Sequence, residues 1–316
     1  MSTRATGFTL RRRVGAPARV PPGPRRTSPA GVRLRVRIFA PVDPHRLRAL
    51  AHAVEPLARR AGGAILEVYA AADPGAVAKP DGTPVTEADR RSEAVLQAGL
   101  AALATGYPIV SEESRRLPYA ERAAHDLVWV CDPLDGTKEF LARNGEFCVC
   151  VALVERGAPV LGVVHAPVTG VSTVAWRGAG AASVRDAADG PWRVLRRRRP
   201  LDADARGLRF CVSRSHLGPA TEGYLAAYRD PVAVPMGSAL KFCGIAADLV
   251  DVYPRHAPTM EWDTAAGQCI VEAAGGEVVD AATGEPLRYN KPDLVNPSFV
   301  ARAPLAPGGG APPPGY

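Results

Sequence analysis

The residues best suited to chemistry are Asp132 and Asp135, three positions apart in Trp129-Val130-Cys131-Asp132-Pro133-Leu134-Asp135-Gly136-Thr137. An apolar strand delivers two carboxylates onto a turn. Pro133 restricts the backbone and has no N–H to offer. Gly136 permits tight backbone geometry, and Thr137 stands where a helix can begin. Such a turn can aim two carboxylates and the Leu134 carbonyl between them at one spot. Hard oxygen donors of this kind suit Mg²⁺, and the N-terminus of the following helix would present N–H donors to a phosphate. D-x-x-D-G is also a common surface turn, so its weight depends on its company.

Four further acidic residues keep that company. Glu112 and Glu113 end a short strand over Tyr107–Val110, with Glu113 read as a neighbour rather than a ligand. Asp89 falls in the first turn of a helix opened by Thr86-Glu87-Ala88-Asp89, a capping box with Asp in the Glu position. Asp263 follows Trp262 at the start of another helix. Capping and dipole stabilisation, worth about 0.5–2 kcal/mol each, account for Asp89 and Asp263 as well as ligation does.

The elements that must position these groups read as mixed α and β. Apolar residues at helical spacing predict a helix over residues 44–71, with Arg on its other face. Asp81-Gly82 marks a turn, and the capping box opens a helix to about Ala104. Leu127–Cys131 is a strand ending at Asp132. Phe147–Val154, Val160–His165 and Val171–Trp176, joined by turn-like links, predict an antiparallel meander. Beyond the small, polar stretch 178–191, the sequence predicts strands at 208–213, 232–234 and 277–279, with helices at 221–228, from about 238, and at 263–274. The division expected is an extension at 1–43, an N-terminal α+β part at 44–183 that holds the acidic motif, a C-terminal α/β part at 184–303, and a loose tail at 304–316.

Composition narrows the partners. The chain has 316 residues, 47% of them hydrophobic and 22% charged, with a formal charge of +7. This excludes a collagen, a coiled coil and a wholly disordered chain. Its longest apolar run, Phe147–Val154, is far too short to span a bilayer. Residues 1–42 carry ten Arg and no acid, so the rest of the chain, at +7 less 10, sits at −3. The basic character belongs to the Arg/Pro-rich extension, which is expected to be disordered. That argues against a nucleic-acid partner for the folded body, and an anion- or nucleic-acid-binding protein acting through the extension stays as a distant alternative. Arg196–Arg199 reads as a solvated loop. An acid-free, Arg-rich start also fits an organelle transit peptide, a reading left open beside a cytoplasmic location with or without peripheral attachment to the inner membrane.

None of the six cysteines forms C-x-x-C, and no His pair stands at zinc spacing nearby, so a reducing compartment without a disulfide framework is expected. Cys148 and Cys150 alternate within an apolar run and should share one face of a strand as buried thiols. Only four basic residues are Lys (Lys79, Lys138, Lys241 and Lys291) against 35 Arg. A Lys retained under such a bias points to a place that needs a compact ammonium.

Three segments together resemble the inositol-monophosphatase superfamily of Mg²⁺-dependent, lithium-sensitive phosphatases. They are Ser111-Glu112-Glu113, Asp132-Pro133-Leu134-Asp135-Gly136-Thr137, and Trp262-Asp263-Thr264-Ala265-Ala266-Gly267 with Gly275-Gly276. The resemblance spans about residues 45–302. It implies a layered αβαβα sandwich with the site between its two parts. It also implies two or three Mg²⁺ held by Glu112, Asp132, the Leu134 carbonyl, Asp135 and Asp263, and an attacking water held by Asp89 and Thr137. Cys131 departs from the aliphatic residue usual in the family.

Gly136-Thr137-Lys138-Glu139-Phe140, Arg143-Asn144-Gly145-Glu146-Phe147, Lys79–Thr86, Ser213-Arg214-Ser215-His216, Leu240-Lys241-Phe242-Cys243 and Tyr253-Pro254-Arg255 look like the bacterial 3′(2′),5′-bisphosphate nucleotidase branch, the CysQ type. A second phosphate needs extra cations, and Lys241 and Arg255 could supply them. The resemblance implies a substrate side lined by Gly136, Thr137, Ser213, His216, Ser238, Lys241, Arg255 and Asp263. It implies a small-molecule substrate, adenosine 3′,5′-bisphosphate, with inositol 1-phosphate and fructose bisphosphate as alternatives. It leaves the oligomeric state open. Gly237-Ser238-Ala239 departs from the family's Gly-Ser-Ser, which puts in doubt any role for a second hydroxyl.

Overall fold

The computed structural model describes residues 41–71, 77–78, 84–114, 117–195, 200–214 and 218–306. The Asp81-Gly82 turn, most of the Lys79–Thr86 motif, the Arg196–Arg199 run, His216, nearly all of the N-terminal extension and residues 307–316 of the tail lie outside the described residues.

Helix α1 (Pro44–Tyr69) is capped by Asp43, whose side chain accepts from the His45 N–H, and starts with Pro in its first turn. Strands β1 (Val77–Ala78) and β2 (Pro84–Val85) pair antiparallel ahead of α2 (Glu87–Ala102). Then follow β3 (Ile109–Ser111), α3 (Tyr119–Arg122), β4 (Leu127–Asp135), α4 (Thr137–Leu141), β5 (Cys148–Glu155), β6 (Ala158–Ala166), β7 (Val171–Trp176), β8 (Ser183–Arg185) and β9 (Arg193–Val194). The seven strands β3 to β9 form one sheet in sequence order, parallel only between β3 and β4. The predicted meander is β5-β6-β7. The sheet continues through β8 and β9, so it runs on across the 183/184 division.

The second half supplies β10 (Arg209–Val212), α5 (Pro219–Ala226), β11 (Val232–Pro235), α6 (Leu240–Ala246), β12 (Val252–Arg255), β13 (Thr259–Met260), α7 (Glu261–Ala273), β14 (Glu277–Asp280), β15 (Val295–Asn296) and β16 (Phe299–Arg302). Five of these strands form a mixed sheet in the order β11-β10-β12-β16-β14.

Alternation along the strands of the large sheet divides the core. Trp129, Cys131, Val149, Val151 and Val163 pack with α1 and α2. Val128, Val130, Cys148, Cys150 and Val164 pack with α6, α7 and the five-stranded sheet. The result is the αβαβα layering. Helix α7 lies close against β6 because residue 162 is Gly, where a Cβ would collide with the Ala266 carbonyl.

One local difference from expectation sits at the motif. The strand expected to end at Asp132 continues to Asp135 through a bulge. Asp132 faces Cys150 and Asp135 faces Cys148, so the three steps on β4 match two on β5. Pro133, with no N–H to give to the ladder, lies inside that irregularity.

Candidate active site

Three local devices shape the end of β4. The Leu134 N–H donates to Asp132 Oδ1 (3.0 Å), closing a short side-chain turn. Ser92 Oγ of α2 donates to the Pro133 carbonyl (2.6 Å). Gly136 then takes φ +96°, a left-handed conformation that costs glycine little, and α4 starts at Thr137. Thr137 Oγ1 lies 3.5 Å from the Leu134 carbonyl and 3.5 Å from Asp89 Oδ1.

Asp89 caps α2 with one carboxylate oxygen and turns the other toward Thr137. Its Oδ2 accepts from the Thr86 N–H (2.7 Å) and hydroxyl (2.6 Å), completing the capping box, while Oδ1 points toward Thr137. Burial raises its pKa against those hydrogen bonds.

Asp132, Asp135 and Asp263 each place a carboxylate oxygen within 4.8 Å of the others. Asp263 sits in the first turn of α7, and its Oδ2 caps the Met260 N–H (2.8 Å). Asp135 accepts from the Ala239 N–H that precedes α6. Burial and the charges of Glu112, Asp135 and Asp263 push Asp132 well above the usual carboxylate range. Burial and Asp135 push Asp263 up to about 8. Asp135 rises only to about 6, because the Lys241 ammonium and the Ala239 N–H partly offset its burial. A buried carboxylate and two half-buried ones that repel one another are a donor set made for a hard divalent cation. The residues fit Mg²⁺. Glu112 adds its charge to this group.

Asp135 and Asp263 form part of the wall of a cavity of about 480 Å³, shared with Gly136, Ser213, Ser238, Lys241 and Arg255. Lys241 is buried. Its Nζ donates to the Ser238 carbonyl (3.0 Å) and lies 5.2 Å from the Tyr253 ring centre. Arg255 donates to the carbonyls of Ala257 (3.2 Å) and Pro258 (3.4 Å). Ser238 takes φ +49°, unusual for a residue with a Cβ. Lys138, Glu139, Tyr253 and Thr264 also line this cavity without having been singled out for the site. Lys138 carried a signal, as one of the four lysines inside a quoted motif. Glu139, Tyr253 and Thr264 also stand inside segments that carry the resemblance, but nothing in their type or spacing sets them apart there.

Residues 46–307 match the family model described as "Inositol monophosphatase family". The chain belongs to the inositol monophosphatase family. Within it, the chain is 42% identical over 249 residues to the 3′(2′),5′-bisphosphate nucleotidase CysQ of Shigella flexneri, covering 77% of this chain and 95% of that protein. It is 37% identical over 254 residues to the CysQ of Buchnera aphidicola, covering 78% and 91%. Among solved structures of the family, CysQ from Bacteroides thetaiotaomicron superposes with a TM-score of 0.70 at 40% identity, covering 81% of this chain and 97% of that one. The extragenic suppressor protein suhB of Bartonella henselae gives 0.66 at 25%, covering 81% and 94%. The family is one of metal-dependent phosphatases, in keeping with the carboxylate cluster. Among the described residues no helix is long and apolar enough to cross a membrane.

Proposed function

We propose that this chain is a Mg²⁺-dependent phosphomonoesterase that removes the 3′-phosphate of adenosine 3′,5′-bisphosphate, leaving AMP and phosphate, in sulfur assimilation and nucleotide recycling in the cytoplasm. One observation carries the reading: a single cavity has the carboxylates Asp135 and Asp263 on its wall together with the cations Lys241 and Arg255. A monophosphate needs only the acidic side and its cations. A substrate with a second phosphate makes use of the basic side as well. The identity to CysQ nucleotidases over most of both chains supports the same choice.

Uncatalysed monoester hydrolysis is among the slowest reactions known, calling for enhancements up to about 10²¹. When bound, divalent ions supply neutralisation of the phosphate oxygens and acidification of water. Glu112, Asp132, Asp135, Asp263 and the Leu134 carbonyl would hold two or three of them. Thr137 and Asp89 handle the proton: the Thr137 hydroxyl is oriented by Asp89 Oδ1 and the Leu134 carbonyl, and Asp89, its pKa raised by burial, is the stronger base for it. Glu112 shares in orienting the water. The backbone at Gly136 and Thr137 opens α4 toward the reacting phosphate. Ser213, Ser238, Lys241, Arg255 and His216 would hold the nucleotide side.

The test is a panel of phosphate-release assays with Mg²⁺ on adenosine 3′,5′-bisphosphate, its sulfated analogue, inositol 1-phosphate and fructose 1,6-bisphosphate. The bisphosphate nucleotide is expected to lead, with lithium inhibiting. Equal turnover of inositol 1-phosphate would overturn the nucleotide assignment. Deleting residues 1–42 should leave the rate unchanged.

A further inference from the structure

The bulge that aligns Asp132 and Asp135 also places two thiols beside them. Asp135 is the cross-strand partner of Cys148, and Asp132 that of Cys150. Cys148 Sγ lies 3.7 Å from Cys150 Sγ and 3.7 Å from Asp135 Oδ2. All three ligand atoms fall within 4.8 Å of one another. A tetrahedral zinc ion with metal–sulfur bonds of about 2.3 Å and metal–oxygen bonds of about 2.0–2.2 Å sets sulfur–sulfur and sulfur–oxygen edges at roughly 3.5–3.8 Å. The two edges at Cys148 therefore match such a site, and the third, from Cys150 to Asp135, lies within 4.8 Å. Ser238 Oγ, 3.4 Å from Cys148 Sγ, stands beside it. Both thiols are fully buried, yet Asp135 and Ser238 line the cavity and give an ion a way in.

We propose that Cys148, Cys150 and Asp135 form a second, thiophilic metal site for zinc- or cadmium-type ions, which shares Asp135 with the magnesium-binding carboxylates and so shuts the phosphatase off when filled. Soft thiolates choose such ions over Mg²⁺, which asks for oxygen donors. Each ligating thiol gives its proton to solvent as the metal–sulfur bond forms. The site stands on its own geometry. Only the loss of activity rests on the function proposed above.

The experiment is Cd²⁺ titration of the full-length, magnesium-free protein, read by the near-ultraviolet cadmium–thiolate charge-transfer band, with wild type compared to Cys148→Ser, Cys150→Ser and Cys243→Ser. One band-forming Cd²⁺ per chain is expected for wild type and Cys243→Ser. A loss of at least about tenfold in apparent affinity is expected for either of the other two. Magnesium should compete with the band through Asp135. X-ray absorption of the zinc-loaded wild type needs no variant and should show two sulfur neighbours with oxygen completing the shell. No band, a band that survives in both Cys148→Ser and Cys150→Ser, or an all-oxygen zinc shell would overturn the site. If the band behaves as expected while the protein hydrolyses none of the panel substrates, the metal site stands and the phosphatase reading falls. If hydrolysis proceeds at full rate with Cd²⁺ bound, the inhibitory role falls.

Discussion

The first turn of α7 holds two carboxylates two residues apart that meet opposite surroundings. Glu261 is fully buried, and it accepts from Lys291 Nζ (2.6 Å), from the Lys291 N–H (3.0 Å) and from the Asn290 N–H (2.5 Å). Asp263, half-buried on the cavity wall, accepts one backbone N–H and faces chiefly the charges of Asp135 and Glu112, with Arg255 opposing them more weakly. Glu55, in the middle of α1, repeats the first pattern with Arg59 and Arg185. Burial alone therefore does not distinguish a structural acid from a reactive one. The sign of the neighbouring charge does. A buried acid supplied with its own cation is finished as it stands, whereas a buried acid supplied with other acids calls for a cation from solution.

The largest break in this comparison is expected at Asp132. Asp132→Asn removes one charge from the repelling group while keeping its shape. Phosphate release from the bisphosphate nucleotide should fall by about 10³-fold or more, the scale of several kcal/mol of lost charge stabilisation. The metal-free variant should melt no lower than wild type by calorimetry, because an amide is neutral in both states and no longer has to take up a proton on folding. Near-normal hydrolysis would end the assignment. A smaller effect is expected on the basic side. Lys241→Met should lower kcat/KM for adenosine 3′,5′-bisphosphate by about 10–100-fold, as loss of a charge-assisted phosphate contact implies, and lower that for a nucleoside 3′-monophosphate much less. Equal losses on both substrates would place Lys241 in the fold rather than in recognition. The structural acid should answer in the opposite way. Lys291→Met leaves Glu261 with its backbone donors and the charge of Arg122, costing about 2 kcal/mol of stability. Its kcat/KM, measured below the melting range, should stay within about threefold of wild type.

Much of this contrast was legible in the chain. The apolar run of β4 ends on two acids beside Pro133 and Gly136, a turn whose weight came from the other acids that accompany it. Regular spacing also reveals α1 and the meander. Convergence was not legible from periodicity. Asp263 reaches Asp135 across more than a hundred residues, and only the resemblance implied it. The strands of the five-stranded sheet were caught in part. β12 carries Pro254, which argues against a strand, and β16 is four residues long and joined to β12 by long-range pairing that no local pattern encodes. β8 and β9 arise in a Gly- and Ala-rich stretch with little alternation, so nothing there announces that they extend the large sheet. Cys148 and Cys150 were expected on one face. That this face lies against Asp132 and Asp135 depends on the bulge, and the bulge depends on register.

The subtlest consequence is a stability slope with pH. Asp263 is pushed up to about 8 from 3.8, and Asp132 is also raised well above its ordinary value, first by burial and then by the charge of Glu112. Above about pH 4 the unfolded chain has released these protons and the metal-free folded chain retains them. Stability from these groups is full below the unfolded values and is lost as pH climbs through the folded ones. Two other groups bound the usable window. His165 is lowered to about 4 from 6.5 by burial, so its contribution grows as pH rises toward 6.5 and is complete there. Buried thiols such as Cys211, raised to about 12 from 9.0, begin to oppose stability only as the unfolded thiols ionise near pH 9. Between about pH 6.5 and 8 the acidic cluster should dominate. The melting temperature of the chelator-treated protein should fall there by about 3–5 °C per pH unit, the linkage of roughly one proton in a domain of this size. Asp263→Asn should flatten the slope, and saturating Mg²⁺ should both flatten it and raise the curve, since an ion that binds only the folded state replaces the retained protons. A chelated wild type whose melting temperature is level or rising over that window would mean the carboxylates are already neutralised from within, as Glu261 is, and the distinction between the two ends of α7's first turn would collapse.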